Sequence, residues 1–140
     1  MRISNAIEPT EAQLAAFLAR AGDGPVNMLN LLKFKEKATY PDGRDADMSG
    51  AEAYMRYGGP VTRLVEQAGG TLKFSALPST FLVGEAEEAW DMVAIMAYPS
   101  SQTLPNLAMT PEYQALAVHR KAGLAGQLLI PCFAKDTFIG

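Results

Sequence analysis

The sequence is short of the residues from which most familiar sites are built. It has one cysteine, Cys132, so no internal disulfide forms, and one histidine, His119. One His and one Cys give no ligand cluster of recognisable spacing, so no metal site is expected. No Ser or Cys stands in a nucleophile motif around His119. Neither a GxGxxG turn nor a P-loop is present, and Gly58-Gly59-Pro60 is not a phosphate loop. A net charge of -3 with no block of Lys and Arg excludes a dedicated nucleic-acid binder. No apolar run approaches the ~20 residues that cross a bilayer, and Met1-Arg2-Ile3-Ser4-Asn5 lacks the apolar centre of a signal peptide. The expectation is a cytoplasmic protein with neither nucleic acid nor membrane as partner. Cys132 lies in an apolar run, where a buried, inert thiol is expected.

What is present is an ordinary globular composition, 49% apolar and 19% charged over 140 residues, enough for one domain with a sizeable core. The chain is organised around Val26–Phe34. At the two-residue period of a strand, Val26, Met28, Asn30, Leu32 and Phe34 face one way, and Asn27, Leu29, Leu31 and Lys33 the other. Both faces are mostly apolar, so both need a cover.

The remaining signals fall in order along the chain. Thr10-Glu11-Ala12-Gln13 has the form of a capping box, followed by Leu14, Phe17 and Leu18 at helical spacing. Residues 1–24 thus read as a helical extension and 25–140 as the main domain. Residues 35–48 are charged and carry a Tyr40-Pro41-Asp42-Gly43 turn. Ser49-Gly50-Ala51-Glu52 opens a second helix whose apolar face is Tyr54, Tyr57, Val61, Leu64 and Ala68, with a kink or break expected at Pro60. Residues 71–75 alternate as a strand with Leu72 and Phe74 inward. Pro78 interrupts it and residues 80–83 resume it. Residues 90–98 form another long apolar strand. A short helical piece at 102–108 precedes Thr110-Pro111, a cap followed by proline at the first helical position. That helix carries Tyr113, Leu116, Ala117 and Arg120, and residues 127–133 close the chain as a strand holding Pro131.

After the extra first helix the order is strand, helix, strand, strand, helix, strand. This is the split βαβ, ferredoxin-like pattern of an α+β fold, with the first and third strands central. Pro78 and Pro131 both fall in the expected edge strands. Two helices cover one sheet face. The apolar rows on the other face predict a homodimer packed sheet to sheet.

Arg120 falls within about 20° of Tyr113 on the helical wheel, in the apolar face. Either it meets a structural carboxylate (Asp91 or Glu52) or the free carbonyls of the helix end, or it clamps an anionic ligand between helix and sheet. His119, about 100° away, is either a half-exposed residue favoured near a helix C-terminus or a general base. Tyr54 and Tyr57 are either core or hydroxyls presented to a cavity. Asn30 is bonded internally or marks a site for water or ligand. Trp90 and Asp91 open a central strand as ring anchor and carboxylate. Met28, Met55, Met92, Met96 and Met109 are expected as gap-filling core. Asn30, Tyr54, His119 and Arg120 are the candidate catalytic residues, with Tyr57, Trp90, Asp91 and Tyr113 lining a ligand cavity.

The ordered set Asn30-Leu31-Leu32-Lys33-Phe34, Tyr40-Pro41, Ala53-Tyr54 with Tyr57, Gly69-Gly70, Trp90-Asp91, Tyr98-Pro99-Ser100, Glu112-Tyr113-Gln114 and His119-Arg120 resembles a small bacterial family of unknown function. That family lies in the dimeric α/β-barrel superfamily. The resemblance implies a ferredoxin-like subunit paired through its sheet into a barrel, and no established reaction. Neighbouring families in that superfamily include cofactor-free quinone-forming monooxygenases, muconolactone-type isomerases and haem-degrading monooxygenases. The haem pattern wants an Asn on the first strand, then a Trp and a His around the last helix. Asn27 or Asn30 fits the first, but Leu107 and Ala117 stand at the other two places and His119 lies two residues late. The expected function is a dimer binding a small anionic or phenolic compound, with cofactor-independent oxygenation or isomerisation. The alternative is a non-catalytic dimer that binds or sequesters a metabolite.

Overall fold

The two-sided apolar pattern of Val26–Phe34 puts this strand, β1, inside the sheet. In the computed structural model, which describes residues 1–139, the chain runs α1 (Glu11–Leu18), a 3-10 turn (Ala21–Asp23), β1, α2 (Gly50–Gln67), β2 (Thr71–Ala76), β3 (Met92–Tyr98), α3 (Thr103–Ala108), α4 (Pro111–Gly123) and β4 (Leu124–Phe133). The antiparallel sheet has the order β2-β3-β1-β4, so the first and third strands are central and the ferredoxin-like arrangement is present. Pro131 lies in edge strand β4, where its missing N–H costs no ladder bond to a further neighbour.

Register sorts the side chains onto two faces. Val26, Met28, Asn30 and Leu32 share one face with Tyr98, Met96, Ala94 and Met92 of β3 and with Phe133, Pro131, Leu129 and Gln127 of β4. Val65 and Tyr98 complete one core cluster with Val26, Met28 and Phe133. Leu32, Tyr54, Tyr57, Val61 and Leu124 form a second. The opposite, open face presents Leu29, Leu31, Val93, Ile95, Leu128 and Ile130.

The helix ends follow their local chemistry. Thr10 forms the full capping box with Gln13. Ser49 accepts from the Glu52 N–H at 3.1 Å, but its hydroxyl donates to the Glu52 carboxylate, so the reciprocal backbone bond is replaced. The start of α2 meets the end of α4 at two glycines. A Cβ on Gly123 would lie 2.2 Å from the Gly50 carbonyl, and one on Gly50 would lie 2.1 Å from that of Lys35. No side chain fits between these backbones.

Several expectations are corrected. A bulge between Leu72 and Phe74 shifts the phase of β2, so Phe74 pairs with Ile95 and joins the open face at 52% exposure. The second strand ends at Ala76. Residues 80–83 do not resume it, because no strand lies alongside to pair with them. Pro78 therefore falls outside the sheet, and Trp90 and Asp91 precede β3 rather than open it. The last turns of α2 bury Val65, while Ala68 is exposed. The helix passes through Pro60 without a break. Of the apolar residues in α1, Phe17 packs on Phe133 while Leu14 and Leu18 are exposed. Cys132 is exposed, because the edge strand turns it to the open face opposite Asn27. Met55 and Met109 are also exposed rather than core.

Candidate functional site

Thr110 accepts from the Tyr113 N–H and sets the start of α4, which brings Arg120 one helix face away from solvent, at 15% side-chain exposure. Its guanidinium has three neighbours. Nη2 donates to Gln127 Oε1 at 2.7 Å and to the Ile7 carbonyl at 2.5 Å, and Nη1 lies 3.5 Å from Glu8 Oε1. Gln127 Nε2 in turn donates to Asn30 Oδ1 at 2.9 Å, and Asn30 Nδ2 donates to the Met28 carbonyl at 3.1 Å. The chemistry fixes each amide: a guanidinium only donates, so Gln127 must turn its oxygen to Arg120 and its nitrogen to Asn30. Neither Asp91 nor Glu52 pairs with Arg120, which corrects the expected carboxylate partners. Asp91 accepts the Phe34 N–H at 2.8 Å just ahead of β3, and Glu52 is taken by Ser49. The helix-end carbonyls do not hold Arg120 either.

Tyrosines line the layer beside this relay. The Tyr57 and Tyr113 hydroxyls are 2.9 Å apart, and the Tyr57 ring meets those of Tyr54 and Tyr113. Burial pushes the Tyr54 hydroxyl up to about 12, with Arg120 pulling the other way. Burial and then Tyr113 raise Tyr57 further, and burial also raises Tyr98. These phenols stay protonated, and Tyr57 shares one hydrogen bond with Tyr113.

His119 belongs to a different group. Its Nδ1 lies 2.7 Å from the Tyr40 hydroxyl, which also accepts from Arg56 Nη1 at 3.2 Å, and Arg56 pairs with Asp45 at 2.9 Å. The Arg44 guanidinium stands over the Tyr40 ring at 4.6 Å. Burial first, then Arg56 and Arg44, lower the His119 pKa from its ordinary value. Asn30, Arg120, Tyr54, Tyr57 and Tyr113 are thus brought together. His119 stands with the 35–48 loop, and Asp91 stands at the end of β1 with Lys33 Nζ 3.9 Å away.

Sequence reasoning missed Gln127, Ile7, Glu8, Tyr40 and Arg56. Gln127 had a signal, as the one polar side chain on the helix-facing row of β4. Two surface cavities lie elsewhere: about 320 Å³ bordered by Thr39, Pro41, Gln114 and Val118, and about 360 Å³ bordered by Ala68, Thr103, Asn106 and Leu107. Neither is lined by Asn30, Tyr54 or Arg120, and Ile7 and Glu8 lie against Arg120. Among the described residues no group of three or more His, Cys, Asp and Glu is placed to hold a metal, and no helix is long and apolar enough to cross a membrane.

Residues 44–131 match the model of a domain of unknown function, DUF1330. A protein of unknown function from Rhodopseudomonas palustris is 33% identical, with 93% of this chain and 97% of that one covered and a TM-score of 0.83. Its methylated form gives 34% identity, 94% and 96% coverage, and a TM-score of 0.84. A dabb family protein with a ferredoxin-like fold from Mesorhizobium loti shares the fold at 11% identity, with 78% of this chain and 95% of that one covered and a TM-score of 0.50. No curated protein matches. With the family model spanning more than half of it, the chain belongs to the DUF1330 family.

Proposed function

We propose that this protein is a homodimer, joined through its open sheet face, that binds one small anionic or phenolic compound per subunit between the sheet and the α2–α4 layer. One observation carries the reading: Arg120 lies within an apolar layer without a buried counter-charge. A guanidinium so placed needs an anion or carbonyls, and a buried carboxylate is its strongest partner. Here the partners are a neutral amide, one backbone carbonyl, and a carboxylate 57% exposed at 3.5 Å. In this reading Arg120 holds the anion, and Asn30 and Gln127 hydrogen-bond a carbonyl or oxyanion beside it. Tyr54, Tyr57 and Tyr113 supply the apolar wall and hydroxyl donors. Asp91 accepts the Phe34 N–H at the end of β1 and is engaged outside this group. The dimer belongs in the cytoplasm, where the free thiol of Cys132 stays reduced.

Binding without turnover is supported by His119. The one imidazole is bonded to Tyr40 and stands with the 35–48 loop, so it is not placed to carry a proton at the Arg120 group. The second reading, cofactor-independent oxygenation or isomerisation, is favoured by the Tyr57–Tyr113 contact, which can pass a proton between two hydroxyls. Calorimetric titration with benzoate, phenol, hydroquinone and a small lactone, alongside oxygen uptake and product analysis, tests both. The expected result is benzoate or phenol binding that weakens at least tenfold in Arg120→Met, with no turnover. Binding unchanged in Arg120→Met, or no binding, removes the site. Turnover that survives His119→Ala would make the second reading the correct one.

A further inference from the structure

Residues 5–8 cross the outer edge of β4. Gln127 N–H donates to the Ala6 carbonyl at 2.8 Å, and Ala6 N–H returns to the Gln127 carbonyl at 3.4 Å. Gly126 makes the crossing possible, since a Cβ there would lie 2.7 Å from Asn5 Cβ. From this foothold the segment reaches into the Arg120 group. The Ile7 side chain packs against the cluster of Leu32, Tyr54, Tyr57, Val61 and Leu124. Its carbonyl accepts from Arg120 Nη2, and the Glu8 carboxylate stands 3.5 Å from Nη1. Pro9 has no N–H with which to extend the pairing.

The segment therefore brings three features to Arg120 together: a branched apolar body, a carbonyl oxygen and a carboxylate. We infer that residues 5–8 are a displaceable strap, which closes the site by imitating its ligand, a small monocarboxylate with a branched or aromatic body. This rests on Arg120 being the ligand anchor. The strap is lightly held. Asn5 and Ala6 are exposed, one of the two backbone bonds is long, and Glu8 is more than half in solvent. The β1–β4 pairing does not involve it, so the strap lifts without loss of the sheet. A ligand that must lift it binds more weakly, in proportion to the open fraction. Weakening the strap therefore tightens binding.

The test uses the full chain and benzoate as the probe. Calorimetry compares the wild type with Glu8→Gln, Ile7→Ser and Arg120→Met, and hydrogen exchange follows the Gln127 amide, which the strap protects. Glu8→Gln loses the ion pairs of Glu8 with Arg120 and with Lys121 (3.8 Å), both to a half-exposed carboxylate, and is expected to bind benzoate about three- to fivefold more tightly. Ile7→Ser shifts affinity the same way. In the wild type, benzoate is expected to speed exchange at Gln127. Benzoate binding that requires Arg120, with both strap variants at wild-type affinity and exchange at Gln127 unchanged, overturns the strap and leaves the anion site standing. Absence of binding in every form overturns both.

Discussion

Gln127 Nε2 donates to Asn30 Oδ1, an orientation that Arg120 imposes because its guanidinium can only donate to the Gln127 oxygen. Gln127 is thus the middle member of a relay in which each group has one workable orientation. Replacing it by Leu leaves a guanidinium donor and the Asn30 oxygen unpaired in a partly buried layer. The expected cost is about 2 kcal/mol of unfolding free energy. Asn30→Leu removes the far end only and is expected to cost less. The double variant should fall short of the sum of the two, as linked groups do. Urea unfolding of the four forms measures this. Strict additivity would mean that Gln127 and Asn30 are independent.

His119 links stability to pH. The Tyr40 oxygen accepts from Arg56 and lies 2.7 Å from His119 Nδ1, a bond that either tautomer of the neutral imidazole completes. The charged groups around it are Arg56 and Arg44, with Asp45 already held by Arg56. A proton on His119 adds a third cation beside them. The folded pKa therefore lies below the ordinary 6.5, and the unfolded chain takes up the proton first. Stability is complete above that value and declines as pH falls through it. The drop in Tm between pH 7.5 and pH 5.5 is expected to shrink in His119→Phe. Equal drops in the two proteins would remove His119 as the source.

Much of the fold was legible because its signals are local. Thr10 with Gln13, Ser49 with Glu52 and Thr110-Pro111 mark three helix starts, and all three caps are made. Val26–Phe34 was apolar on both faces, which only an interior strand needs. What failed was phase and partnership. Alternation carries no warning that one extra residue between Leu72 and Phe74 turns the ring to the opposite face. The apolar character of residues 80–83 states a preference for strand, but a strand needs a neighbour and none lies there. The grouping of the site residues was hidden for a related reason. Arg120 and His119 are adjacent in sequence, yet the helix turns one toward Gln127 and the other toward Tyr40. Ile7 and Glu8 have no periodicity at all. Only the bridge between Ala6 and Gln127 brings them to Arg120.

The bulge at Phe74 bears on assembly. Without it the open face would be three strands wide in large apolar side chains. With it, Phe74 lies beside Ile95 and extends the row Ile130, Leu29, Ile95 across all four strands. Along β1 the same face runs Asn27, Leu29, Leu31, Lys33, so the apolar centre has polar ends. The proposed dimer would bury this apolar centre within its polar margin, one copy of the patch against another across a two-fold axis. Ile95 is on a central strand, and its side chain points away from the subunit's own core. Ile95→Lys is therefore expected to leave the fold intact while setting a cation in the middle of the contact. Sedimentation at micromolar concentration should give twice the subunit mass for the wild type and one subunit mass for Ile95→Lys, with unchanged far-ultraviolet circular dichroism. A wild type that sediments as a single subunit would mean that this face stays in water. The apolar row would then require a different partner.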